Sequence, residues 1–238
     1  MKNNCFYLLF VVVFFVVLEK DMIGVTDEIP KSFIAQFLPK NPIIVEAGAN
    51  DGTDTTKMSR MWPQGIIYAF EPIPSIFEQL SVATRSMRNV TCYRLALGPV
   101  TGSAKFYVSS GTSDQSSSLL APKEHIAFHP TVYFNSTIDV EVMTLDDWAN
   151  KYGITRIDFM WLDMQGSELD MLKASPRLLK TLRAIYTEVS LVELYKGTPL
   201  YDEVKAWLEL QGFCAVREEI PWKEGGNVLF VRDSILKS

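Results

Sequence analysis

Residues 42–52 read PIIVEAGANDG, and no other stretch constrains the chain as much. A short apolar run, Ile43-Ile44-Val45, ends on Glu46 and turns through Gly48 to Gly52 into helix-permissive residues 53–61. Strand, glycine loop and helix in that order set a helix N-terminus and its backbone N–H groups beside whatever lies across the loop. Glycine lacks a Cβ, so the backbone can approach a ligand closely there. The spacing is an acid followed by Gly-x-x-x-Gly. It is not G-x-G-x-x-G, so the dinucleotide fingerprint is absent. An ordinary βα turn uses the same glycines, and the stretch needs support from the rest of the chain.

That support is architectural. Apolar runs at 66–70, 90–95, 157–162 and 184–189 alternate with helix-patterned segments at 72–87, 169–174, 176–182 and 199–210. Connections this long are not hairpins; they predict a parallel sheet with helices on its faces. Two late strands, 213–216 and 227–231, flank Pro221 and Gly225-Gly226 and are expected to run antiparallel. The expected fold is α/β: a Rossmann-like, seven-stranded, mostly parallel sheet with an antiparallel final strand. A strand/loop insert at about 103–143 interrupts it as a lid or side flap. The insert holds the run SSGTSDQSSS, either a solvated linker or a site wall, and both histidines, His125 and His129.

The chain has 238 residues, enough for one such domain, over 42–238, behind a connector at 26–41. Its net charge of −5 and the lack of a basic run argue against a nucleic-acid partner. Residues 1–25 form a separate segment, with an apolar run from Cys5 to Leu18 between Lys2 and Glu19-Lys20-Asp21. As a helix that run would span roughly 21 Å, short of a bilayer core of roughly 30 Å. It is expected to act at a membrane, as a signal peptide or a short anchor. Cys92 and Cys214 fall near opposite sheet edges, too far apart to pair, so cysteine use gives no support to an extracellular setting. The sequons at Asn89 and Asn135 match the glycosylation pattern by composition alone. A cytosolic-facing domain is favoured over a lumenal one on this cysteine use.

Four ordered stretches resemble one family. The Glu46 to Gly52 loop resembles motif I of the class I S-adenosylmethionine (SAM) methyltransferases. The run TLDDWANKYGITRIDFMWLDMQGSELDMLKAS looks like the signature of FkbM-type methyltransferases, in which an Ile-Asp-Phe strand ends on Asp-x-x-Gly-x-Glu. TEVSLVELYKGTPLYDEVKAWLELQGF is similar to that family's fifth strand and following helix, and QSSSLL with a downstream His-x3-His-Pro also resembles it. Together these cover roughly residues 42–232. The resemblance implies a SAM cofactor and O-methyl transfer to a sugar, glycan or small-molecule hydroxyl.

Site expectations follow from the chemistry of the donor. Glu46, Gly48, Asn50 and Gly52 would hold its methionine end. Glu71 would accept the ribose hydroxyls, since a carboxylate has two acceptor oxygens, and Leu97 lies where adenine contacts are expected. As a structural alternative, Glu71 is a helix-start acid. Asp163, ending a parallel strand, is a catalytic candidate that would meet the donor's amine, orient the acceptor or ligate a metal. Ser117, Ser118, Gln165 and Glu188 fall on the substrate side. A hydroxyl is a poor nucleophile until its proton leaves, so His125 or His129 is a candidate base, against the alternative of a surface or structural histidine. No metal site is expected. The competing readings are a non-catalytic interaction protein on the same fold and a nucleotide-cofactor enzyme.

Overall fold

The computed structural model describes residues 28–237, so the expected targeting segment at 1–25 lies outside the described residues. The strands are β1 (Ile43–Ala47), β2 (Ile66–Phe70), β3 (Val90–Tyr93), β4 (Ala96–Leu97), β5 (Gly102–Gly111), β6 (Val132–Met143), β7 (Phe159–Leu162), β8 (Ala184–Ser190), β9 (Phe213–Glu219) and β10 (Gly225–Arg232). Seven of them form one sheet in the order β3-β2-β1-β7-β8-β10-β9. Its strands pair in parallel from β3 to β8, and β10 is antiparallel to both β8 and β9. β1 and β7 are neighbours although far apart in sequence, which makes their junction the switch point where open α/β sheets bind ligands.

Both faces of the sheet are covered. Trp148, Met160, Leu162, Ile185 and Phe230 pack on one side, while Ile34, Met58, Phe159 and Trp161 pack on the other. The connector contributes to the second face: Ile29 and Ile34 are fully buried, and the Lys31 amine lies 3.9 Å from the Trp161 ring centroid. Trp161 stacks on Tyr186 with ring centroids 3.7 Å apart. Cys92 and Cys214 sit on opposite edge strands, β3 and β9. Among the described residues no helix is long and apolar enough to cross a membrane.

Three details differ from expectation. The helix after β2 starts at Pro74 and not near Pro72, and ends at Thr84. Ile73 precedes a proline and stays extended at φ −77°, ψ 120°, as the proline ring's crowding demands. The third strand stops at Tyr93. Ala96–Leu97 leave the main sheet and pair with β6 in a second sheet of order β4-β6-β5. That sheet is a long antiparallel β5–β6 hairpin, and its Phe106, Val140 and Val142 pack on Ile73, Ile76 and Ala96. The insert is a fixed wall over the β2 end of the main sheet, with its own apolar core.

Candidate active site

A cavity of about 270 Å³ opens at the carboxyl ends of β1, β2 and β7, closed on one side by the second sheet. The Glu46–Gly52 loop forms its floor. Gly48 has φ +83° and Gly52 φ +86°, conformations that favour glycine. Their missing side chains face protein, contrary to the expectation of a ligand approach. A Cβ on Gly48 would lie 1.8 Å from the Asp163 carbonyl oxygen, and one on Gly52 would lie 2.9 Å from Leu80 Cδ1. The glycines therefore let β1 and β7 close together and let the helix Thr53–Met61 pack on the helix Pro74–Thr84.

The loop's N–H groups are also committed internally. Gly48 and Ala49 donate to the Phe70 carbonyl at 3.1 and 2.9 Å, Gly52 to Ala49 at 3.0 Å, and Thr53 to the Asp51 side chain at 2.9 Å. Asn50, at φ +46°, donates its backbone N–H to Glu71 Oε2 at 3.2 Å. The other Glu71 oxygen accepts from the Ile73 N–H at 2.8 Å. Glu71 thus braces the loop and the next helix start while lining the cavity. The structural alternative is thus visible in this side chain.

The cavity is acidic. Glu46, Asp51, Asp54, Glu71, Asp114 and Asp163 line it, and no Lys, Arg or His is among its described lining residues. Burial raises Glu46 to about 8, only partly offset by the hydrogen bond from Thr55 Oγ1 and the charge of Lys31. Burial likewise raises Glu71 to about 7. Asp163 is open to the cavity, and desolvation by the protein packed around it raises its carboxyl too. Asp54 is held low by the Lys31 and Lys57 amines despite its burial. Ile73, Ile76, Ala96, Leu97, Phe106 and Leu119 make the opposite, apolar wall.

Gln165 and Glu188, expected on the substrate side, are joined to Asp163 by hydrogen bonds, although Glu188 lies off the cavity lining. Gln165 Nε2 donates to Asp163 Oδ1 and to Glu188 Oε2, each at 2.7 Å. Ser117 lines the cavity and Ser118 is fully buried, donating to the Gln165 carbonyl at 2.8 Å. This end of the serine run is therefore structural wall, and not solvated linker. Glu168 caps its own loop, accepting from the Met164 N–H at 2.7 Å. Asp158, in the same region of sequence, is tied to the Ile43 N–H at 2.8 Å and sits far from the cavity lining.

The histidines do not join this cluster. His125 is buried outside the cavity lining, against Phe134 and Tyr195, with ring centroids 5.1 and 5.3 Å away. Burial and the neighbouring His129 push its pKa down to about 4. His129 lies 3.4 Å from Glu224, also off the lining. Sequence reasoning missed Asp114, Gln115 and Phe106, which reach the cavity from the insert, and Asp54 and Trp161. Only Asp54 carried a local signal, as a first-turn acid after the glycine loop. Among the described residues no group of three or more His, Cys, Asp or Glu side chains is arranged to hold a metal ion.

The fit to a donor can be judged from these groups. A phosphate ligand needs N–H donors and cations, whereas five of this loop's N–H groups are committed and no described basic side chain lines the cavity. SAM instead offers an ammonium, two ribose hydroxyls, an adenine amine and a sulfonium. An acidic, acceptor-rich floor facing an apolar wall suits such a ligand. Together, the sheet order, the Glu71 position and this cavity define a SAM-dependent methyltransferase of class I type.

Comparison with known proteins places it more narrowly. Residues 46–214 match the methyltransferase FkbM domain, and the chain belongs to that family. It is 32% identical over 203 residues to the 2-O-methyltransferase NoeI of Sinorhizobium fredii, covering 82% of each chain. It is 27% identical over 210 residues to the methyltransferase sdnD of Sordaria araneosa, covering 78% of each. In fold it is similar to a Streptococcus mutans protein solved in complex with S-adenosylhomocysteine, with a TM-score of 0.51 and 16% identity over 89% of this chain and 99% of that one. The fibrillarin pre-rRNA processing protein of Methanococcus jannaschii gives a TM-score of 0.50 at 16% identity, over 82% and 67% of the two chains. The chain is thus a methyltransferase and its cofactor is SAM.

Proposed function

We propose that this methyltransferase acts on a hydroxyl of a neutral sugar, glycan or other hydroxyl-rich small molecule. The observation that carries the reading is the Asp163 carboxylate, open to the donor cavity and held by Gln165 at 2.7 Å. When bound, SAM supplies an electrophilic methyl group. Glu46 and the loop after it would hold the amino-acid end, Glu71 the ribose, and Ile73, Leu97 and Phe106 the adenine. Asp163 then accepts a hydrogen bond from the acceptor's hydroxyl, orienting its oxygen toward the methyl carbon. Alignment of this kind can remove as much as about 7–11 kcal/mol of a bimolecular barrier.

The sign of the site favours a neutral acceptor. With carboxylates and no described basic side chain along the lining, a phosphorylated or carboxylated acceptor would be repelled. The 2-O-methyltransferase name of NoeI agrees with a hydroxyl acceptor. The test is methyl transfer from labelled SAM to neutral oligosaccharides and polyols, with sugar phosphates, amines and RNA in parallel. Transfer confined to amines or RNA would overturn the reading.

We also infer that the enzyme works at the cytosolic face of a membrane, held by the apolar segment before residue 26. Donor supply supports this side, since SAM is a charged metabolite of the cytosol.

A further inference from the structure

Where β7 and β8 end, two carboxyls, a carboxamide and a phenol share one network. Gln165 Nε2 donates to both Asp163 Oδ1 and Glu188 Oε2 at 2.7 Å, and its Oε1 accepts from the Tyr195 hydroxyl at 2.8 Å. Its carbonyl accepts from Ser118 Oγ at 2.8 Å. Gln165 itself sits at φ +55°, a left-handed conformation that side-chain-bearing residues adopt at a cost. A strained residue held from four sides is one whose carboxamide position is over-determined. Asp163 faces the donor cavity, whereas Glu188 lines a smaller pocket behind Gln165.

We propose that Glu188 is a positioning residue for the methyl transfer, forming with Asp163 a carboxyl pair, spaced by Gln165, that receives the acceptor's hydroxyl proton. The proposal rests on the reading that Asp163 meets a hydroxyl acceptor. One amide nitrogen, 2.7 Å from an oxygen of each carboxyl, holds the two groups close together, and like charges at that range disfavour ionising both. The surrounding groups reinforce this. Glu168 and Glu224 act on Glu188, Asp54 acts on Asp163, Glu46 and Glu71 lie within the field of Asp163, and Tyr186 and Tyr195 are the nearby phenols. All are acidic or phenolic, so a second negative charge on the pair is disfavoured and the pair holds its last proton tightly.

That tight hold is useful in the reaction. As the new C–O bond forms, the acceptor's O–H bond breaks and its proton passes to Asp163. The electron pair of the broken S–C bond stays on sulfur. The protonated pair, bound through Gln165, then returns the proton to solvent before the next turnover. Asp163 alone, without a partner to raise its basicity, would be a weaker acceptor of that proton.

The test uses the full chain with SAM and a hydroxyl acceptor. Glu188→Gln should move the acid limb of the kcat–pH profile down by about one pH unit and lower kcat at neutral pH on the order of 10–100-fold. KM for SAM should stay within a few-fold. Infrared titration of the donor-free protein gives a second readout: the wild-type minus variant difference spectrum at neutral pH should hold a protonated-carboxyl C=O band for both Glu188→Gln and Asp163→Asn, the bands of Glu46, Glu71 and Glu168 cancelling. An unmoved acid limb in Glu188→Gln overturns the proposal, and so does a difference spectrum without that band. If the wild type methylates no hydroxyl acceptor, the functional reading fails and the infrared band alone decides whether the proton is shared.

Discussion

The Cβ position of Gly48 falls 1.8 Å from the carbonyl oxygen of Asp163. The glycine after the first strand and the acid after the fourth parallel strand are thus in backbone contact, and the cavity floor and the Asp163 carboxylate share one joint. Gly48→Ala should therefore cost stability before it costs binding. The left-handed φ alone contributes on the order of 1 kcal/mol and the collision about 1–3 kcal/mol more. Gly153 has φ +70° with nothing within 4 Å of its Cβ position, so Gly153→Ala isolates the φ cost. Urea unfolding of both variants checks this; equal losses would mean that the β1–β7 joint relaxes freely.

Glu71→Ala should weaken SAM binding by on the order of 1.5–3 kcal/mol, the range for hydrogen bonds to a charged group. The variant also frees the Asn50 and Ile73 N–H groups, so some loss comes from a loosened loop. Glu71→Gln retains one acceptor oxygen and should recover part of the affinity. Calorimetric titration measures both, and an unchanged constant in Glu71→Ala would leave the residue a brace only.

Stability of the donor-free protein should fall as pH rises from about 4.5 to about 8. Glu46, Glu71 and Glu168 have carboxyls raised by burial to about 8, about 7 and about 7. The folded state therefore keeps protons that the unfolded chain releases near its ordinary carboxylate range. The stability is full below that range and is lost as pH passes through the raised values. Thermal unfolding across this window tests the sign. SAM should bind with proton release and rising affinity over the same window, because a cation favours the ionised carboxylates. Titrations in buffers of different ionisation enthalpy measure the protons released.

His125→Phe should leave methyl transfer within a few-fold, while Asp163→Asn should reduce it by on the order of 100-fold or more, in keeping with the usual range for a general base. His125 is neutral at physiological pH, its Nδ1 is buried without a hydrogen-bond partner, and the ring packs away from the cavity lining. Loss of turnover in a folded His125→Phe protein would return the base to the histidine.

Protease protection of sealed vesicles checks the proposed membrane side. Digestion of the domain without detergent is expected. Glycosylation gives a second readout, and it should be read at Asn135 and not at Asn89. Asn135 is exposed on β6, whereas the Asn89 amide donates to the Trp62 carbonyl at 3.1 Å.

The main sheet was legible because its strands are uninterrupted apolar runs buried on both faces, as Phe159 to Leu162 are. Glu46, Glu71 and Asp163 were legible because each directly follows or ends such a run, at the sheet edge where ligands bind. The second sheet was harder to see. β6 is half-exposed along most of its length, so its periodicity resembles that of a loop with scattered apolar residues. Asp114 and Phe106 reach the cavity only through that hairpin's fold, which no local pattern encodes. The histidines attracted attention by their chemistry, yet the packing of His125 against Tyr195 and of His129 beside Glu224 depends on contacts made across the chain.

The insert is also stitched to the main domain. Lys123 and His125 donate their backbone N–H groups to Leu194 at 2.8 and 3.1 Å, Lys196 donates to Ala121 at 2.8 Å, and Tyr195 and Ser118 meet Ser116 and Gln165. An exchange of this hairpin between family members would therefore not transplant acceptor preference by itself. The stretch around 191–198 and the loop at 163–167 would have to travel with it. Descent within such a family should show these three segments diverging as one block, with the glycine loop and β2 free to stay as they are.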